Sequence, residues 1–223
     1  MHSKDSKMDN RIMDYLAQAE GIKIHYNKNE IDITAPYGIY RAKNPDAKIF
    51  KRIDNIANKI GISLPSSSWN EQQIKMVNDY IEKHELRYEF RELASEFYDS
   101  YLKDLDIEIF PKMSQIAVFS LYVNSPYLAI ISIQTAINNF IYNELIDFNI
   151  IKVDGIFGPI SKRAVKTITW TCQTKESGLL FEMYILLEMS RQYEKLAVSN
   201  PDKYLEYLNG WNNRLNKLAK MKV

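Results

Sequence analysis

The sequence predicts a mainly α protein with one short β-hairpin near residues 22–34. Three observations carry that expectation. Apolar residues recur at helical spacing along almost the whole chain. Seven glycines and seven prolines in 223 residues fall at the boundaries between those stretches. Helix-starting and helix-stopping residues flank most of the apolar runs.

A first helix runs from about Asp9 to Glu20, with Ile12, Leu16 and Ala19 on one face. The stretch from Gly21 to Pro36 breaks the helical pattern. Ile22, Ile24 and Tyr26 alternate, and Ile31 and Ile33 follow, which predicts the hairpin. Asn44-Pro45 reads as an N-cap and first helical residue, with Asp46 in the first turn. Ile49, Phe50, Ile53, Ile56, Ala57 and Ile60 make one stripe, which Gly61 ends. Pro65-Ser66-Ser67-Ser68 is a linker, and Ser68 to Glu71 forms a capping box for a helix carrying Ile74, Val77 and Ile81. The next helix lines up Leu86, Phe90, Leu93, Phe97 and Tyr101.

Pro111 opens a helix that breaks near Asn124-Ser125-Pro126. The run from Pro126 to Phe148 is apolar on more than one side and marks a central helix. Turn signals at Asp154-Gly155 and Gly158-Pro159 precede a helix with Ile160, Ala164, Val165 and Ile168. A long helix ends before Asn200-Pro201. That pair caps a short helix, and Gly210 separates it from the last segment.

The apolar fraction of 46% and charged fraction of 26% are those of an ordinary globular protein. A net charge of +1 gives no global field, which argues against bulk nucleic-acid binding. The local basic run Arg41, Lys43, Lys48, Lys51 and Arg52 reads as the solvated side of a helix. One cysteine, Cys172, excludes an intramolecular disulfide and gives no zinc pattern. His2, His25 and His84 lack metal-ligand spacing. The N-terminal MHSKDSKMDN lacks the apolar core of a secretory signal. From Met113 to Tyr142, Asn124, Pro126, Gln134 and two further asparagines interrupt the apolar run, so no stretch reaches membrane-spanning length.

The stretch Glu20 to Tyr40 holds the candidate chemistry. A carboxyl at the C-terminal end of a helix faces the negative pole of the dipole, which favours the protonated acid. That suits a group that hands a proton to a leaving oxygen. Asp32 and Glu30 follow in the loop, then Thr34 and Tyr37-Gly38-Ile39. Asn124 lies at the helix break and Gln134 in the helix that follows, and each can tie helices together or line a cleft and bind hydroxyl groups. Near the C-terminus, Trp211 offers a flat face and Arg214 a fork for a carboxylate, or Trp211 docks the last helix on the core.

Glu20-Gly21 after an amphipathic helix, a polar loop with an Asp and a Thr, and Tyr37-Gly38-Ile39 resemble the start of glycoside hydrolase family 108. These are phage-type and secretion-associated N-acetylmuramidases of peptidoglycan. Val153-Asp154-Gly155-Ile156-Phe157-Gly158-Pro159 is similar to a motif of helical peptidoglycan-binding modules. Gly210-Trp211 followed by Arg214 also resembles the family's closing stretch. The chain departs from the pattern at Ile22, where the family has a second Gly, and in a loop without glycines.

The resemblance implies a lysozyme-like helical catalytic domain over residues 1–148 and a packed helical peptidoglycan-binding module over residues 149–223. It implies cleavage of the β-1,4 bond between N-acetylmuramic acid and N-acetylglucosamine, with Glu20 as acid and Asp32 or Glu30 assisting water. Thr34, Tyr37, Asn124, Gln134, Trp211 and Arg214 are the candidate substrate contacts. No metal or organic cofactor is implied. The expected partner is the glycan strand, with neither nucleic acid nor stable membrane insertion. The expected setting is synthesis in a bacterial cytoplasm without a signal peptide and action on the periplasmic wall, with a holin or secretion system for export. A non-catalytic wall-binding or scaffold protein is the rival reading, with a membrane-active helical protein behind it.

Overall fold

A computed structural model of the chain describes residues 8–29 and 31–221. Among these residues there are nine α-helices and one three-stranded antiparallel sheet, so the chain is mainly helical. None of the described helices is long and apolar enough to cross a membrane. The chain divides into two compact units, Met1–Tyr101 and Leu102–Val223.

The first unit opens with α1 (Asn10–Ala19), whose N-cap Asp9 accepts a hydrogen bond from the Arg11 backbone N–H. The chain then enters a sheet of β1 (His25–Asn27), β2 (Asp32–Ala35) and β3 (Ile39–Tyr40), ordered β1-β2-β3. Tyr26 faces Ile33, and Ala35 faces Ile39. The third strand was not anticipated, because two residues are too short for alternation to register. Then come α2 (Lys48–Lys59), α3 (Glu71–Lys83) and α4 (Arg87–Leu105). Ile33, Ile39, Ile49, Phe50 and Ile53 are fully buried, and each such side chain contributes about 1.5–3 kcal/mol.

Two helix starts of this unit differ from expectation. Asn44 does not cap α2; its amide donates to Tyr40 O at 3.1 Å, closing the turn after β3, and the helix begins at Lys48. The capping box of α3 uses Asn70 and Gln73, while Ser66–Ser68 forms a 3-10 turn. The basic run is largely engaged in ion pairs: Arg41 with Asp54, Lys48 with Glu96 and Arg52 with Glu89.

The second unit comprises α5 (Gln115–Asn124), α6 (Pro126–Asn143), α7 (Pro159–Thr171), α8 (Lys175–Ser199) and α9 (Pro201–Lys220). Helix α6 packs on α5, α7 and α8, and α8 packs along α9. A division after residue 148 would separate α6 from α7 and α8, which share one core. The compact units instead divide between Tyr101 and Leu102.

Pro111 precedes a turn closed by Ser114 Oγ on Pro111 O, so α5 starts at Gln115. Helix α9 runs unbroken through Gly210. One interior glycine costs about 1 kcal/mol, and the burial of Leu215 and Leu218 on the same helix outweighs it.

Two acids are buried on α8. Glu188 accepts from Asn139 Nδ2 on α6 at 3.0 Å and pairs with Arg191. Glu182 makes no hydrogen bond or ion pair among the described residues, and burial pushes its carboxyl from 4.5 up to about 7. The folded chain therefore keeps a proton that the unfolded chain releases, and folding is favoured at low pH. This contribution is whole below the unfolded value and is lost as pH rises through about 7. Glu182→Gln should flatten that slope: between about pH 4.5 and pH 8, its urea midpoint should fall less than the wild-type midpoint.

Candidate functional site

Glu20 is the C-cap of α1, and its backbone N–H bonds Leu16 O at 2.9 Å. Gly21, at φ 86°, turns the chain away from the helix axis, a conformation that glycine adopts without steric cost. Its carbonyl accepts the Tyr37 N–H at 2.8 Å, which joins the end of α1 to the turn between β2 and β3.

Tyr37 and Gly38 are both left-handed, at φ 66° and 79°. For a tyrosine that costs about 1–2 kcal/mol. The conformation is held by the Tyr98 hydroxyl of α4, which donates to Tyr37 O at 2.8 Å in the buried interior. A Cβ at position 38 would lie 2.8 Å from Glu20 Cγ and 2.9 Å from Glu20 Cβ. The Glu20 side chain therefore lies directly on the Gly38 backbone.

The Tyr37 ring goes elsewhere. It is 5% exposed and reaches Arg91, which also pairs with Asp14 of α1 at 2.8 Å. Burial pushes the phenol up, and the Arg91 charge and hydrogen bond partly offset this. The backbone of Tyr37-Gly38, not the ring hydroxyl, is what meets the acid.

Asp32 opens β2. Its Oδ1 accepts from the Ile33 N–H at 2.7 Å and from Ser66 Oγ at 2.6 Å. It lines an open groove of about 480 Å³ with Arg41, Asp54 and Trp69, a wall to which Glu20 does not belong. Asp32 lies three residues before Ala35, which is about 10 Å of strand. Thr34 shares its face of β2, is 1% exposed, and accepts weakly from Asn27 Nδ2 at 3.4 Å. Glu30 lies outside the described residues.

The two amide candidates of the second unit, Gln134 and Asn124, serve the backbone. Gln134 Nε2 donates to Asp154 Oδ1 and Ile156 O, each at 3.0 Å, and Oε1 accepts from the Asp154 and Gly155 N–H groups at 3.0 and 2.9 Å. One helical turn along α6, Asn138 exchanges two 2.8 Å bonds with Ile151. Together they shape the turn 151–156. The hydrogen bond from Gln134 is also the main reason that the Asp154 carboxyl sits below its ordinary value. Asn124 donates to Ser120 O at 2.6 Å and closes α5. The Trp211 ring stacks on Tyr193 at 4.7 Å and is flanked by Tyr204 and Tyr207, joining α9 to α8. Arg214, one turn further on α9, brings its charge to the Tyr193 hydroxyl.

The structure thus brings Glu20, Gly21, Tyr37 and Gly38 together. Asp32 stands with a different set of neighbours. Tyr98, Ser66 and Asn138 were missed by sequence reasoning. Tyr98 carries a signal, a polar tip on the buried face of an aromatic-rich helix. Ser66, in a run of three serines, carries none. Among the described residues, no group of three or more His, Cys, Asp or Glu could hold a metal ion. The chain matches no protein-family model, no curated protein and no solved structure.

Two outcomes follow from these contacts. Gly38→Ala adds a methyl against Glu20 in a strained conformation, and should lower unfolding free energy by about 1–3 kcal/mol in denaturant titration. Gln134→Leu leaves the Asp154 and Gly155 N–H groups without their acceptor, and should cost about 2–4 kcal/mol in the same measurement.

Proposed function

We propose that the protein is a peptidoglycan hydrolase of the N-acetylmuramidase type, with Glu20 as the proton donor. The observation that carries this reading is the seating of Glu20. It stands at the end of a helix with its side chain against the Gly38 backbone, in a turn that Gly21, Tyr37 and Tyr98 hold. A general acid must keep one position relative to the bridging oxygen, and a carboxyl braced by a backbone strap satisfies that need. The resemblance of Glu20-Gly21 and Tyr37-Gly38-Ile39 to the muramidase pattern points to the same pair of segments.

In this mechanism Glu20 protonates the glycosidic oxygen, the C–O bond breaks, and positive charge builds at the anomeric carbon. Asp32 is the choice for the carboxylate that orients water, with Glu30 as its competitor. The bonds from Ser66 and the strand N–H fix Asp32. The separation of the two carboxyls decides the stereochemical outcome. Two carboxyls at roughly 6.5–9.5 Å accompany inversion and at about 5–5.5 Å retention. Thr34, 1% exposed and bonded by Asn27 Nδ2, braces the strand beside Asp32.

The test is release of reducing ends from purified sacculi. Wild-type protein should release them, and Glu20→Gln should lower the rate at least about a hundredfold, the range in which general acids contribute, with an unchanged melting temperature. Binding to sacculi without release by both proteins would overturn the enzymatic reading in favour of a wall-binding protein.

A further inference from the structure

The geometry points to a second ligand site in the first unit: the groove walled by Asp32, Arg41, Asp54 and the linker 62–67 binds a neutral, hydroxyl-rich ligand of the saccharide class. Its volume, about 480 Å³, falls within the roughly 300–1,000 Å³ of small-ligand clefts.

The charges select the ligand. Arg41 is held in a fork by Asp54, through Nη1 at 2.7 Å and Nη2 at 2.5 Å, so these two cancel. Asp32 is the remaining charge on the wall. One net negative charge repels phosphates and carboxylates. A single carboxylate supplies too few oxygens for a hard cation, which needs about six. Between an organic cation and a donor-rich neutral molecule, the Asn58 amide and the apolar linker surface favour the neutral one. Both bonds to Asp32 among the described residues land on Oδ1, so Oδ2 is open to an incoming hydroxyl. The side-chain amide of Asn58, exposed near the end of α2, has no partner among the described residues and offers both a donor and an acceptor. Leu64, 53% exposed, and Pro65 give the apolar surface on which the C–H face of a sugar ring rests.

The wall is built in advance. Trp69, 5% exposed, donates its indole N–H to Leu64 O at 2.8 Å. Ser68 N bonds Pro65 O at 2.9 Å, and Ile62 N bonds Ala57 O at 2.9 Å, so the linker is pinned at both ends. Little ordering cost falls on binding to a wall already fixed in this way. Glu20 is not part of it, while Asp32 belongs both to this groove and to the cleavage reading, on which the proposal rests at that one residue.

The experiment is an NMR titration of the ¹⁵N-labelled full chain with chitotetraose, inorganic phosphate and 1,5-diaminopentane in turn. Chitotetraose should give saturable shifts at the Asn58 side-chain amide, the Ser66 and Ser67 amides and the Trp69 indole, and the other two probes should not. Asn58→Ala and Leu64→Ser, at exposed positions that should leave the melting temperature unchanged, should each weaken chitotetraose binding tenfold or more. Glu20→Gln should leave it intact. The proposal is overturned if the groove signals do not shift, if phosphate or the diamine shifts them equally, or if both groove variants bind as wild type does.

Discussion

The contact between Glu20 and the backbone of Gly38 is the constraint on which the first unit depends. It exists because two consecutive residues, Tyr37 and Gly38, take left-handed conformations, and L-residues avoid that region. Gly38 does so freely, but Tyr37 does not, and the strain persists only because the surroundings over-determine it. Three anchors do this. The Tyr37 N–H is bonded to Gly21 O, its carbonyl takes the Tyr98 hydroxyl, and its ring is buried beside Arg91. Two of the three lead back to the end of α1 or its flank. The helix end and the turn therefore define each other, and neither position can drift alone.

The second unit solves a similar problem with amides instead of strain. The turn at 151–156 has backbone groups that no helix satisfies, and an unpaired buried N–H costs about as much as a lost hydrogen bond. Gln134 and Asn138 project from one face of α6, four residues apart, and cover them. Gly155 completes the fit: a Cβ there would meet the Tyr127 ring at 2.4 Å. Residues that by type alone suit sugar recognition are thus used to hold a loop on a helix. A motif of the form Asp-Gly-x-x-Gly-Pro is explained here by its geometry, with a tight turn read by one glutamine.

The helical class was legible in the sequence because amphipathic periodicity repeats over many residues and averages out local exceptions. The starts of α2, α3 and α5 were not. Helix α3 starts on a side-chain cap, and which neighbouring polar residue supplies it is a choice worth about 1 kcal/mol. Helices α2 and α5 start without one, after turns that Asn44 and Ser114 close on the backbone. Asn44 closes the turn after β3 rather than capping α2, and Asn70, not Ser68, caps α3. The break expected at Gly210 failed for the opposite reason: local propensity for one residue is small beside the packing of a whole helix face. At the candidate site, the pairing of Glu20 with the Tyr37-Gly38 segment was readable because it rests on a glycine and a short loop. The position of Asp32 was not, since it is set by Ser66, 34 residues away and carrying no pattern of its own.

Asp32 is where the two proposals meet, and the physical chemistry limits how it can serve both. A carboxylate has two oxygens. Oδ1 is committed to the strand N–H and to Ser66, which fixes the plane of the group and leaves Oδ2 as its working edge. In the groove proposal that edge meets a sugar hydroxyl, and in the cleavage proposal it meets the attacking water. It cannot do both for one molecule unless a sugar chain runs along β2 past each in turn. In that arrangement the proposed Leu64 and Pro65 surface would hold one unit of the chain while the proposed acid, Glu20, acts on another.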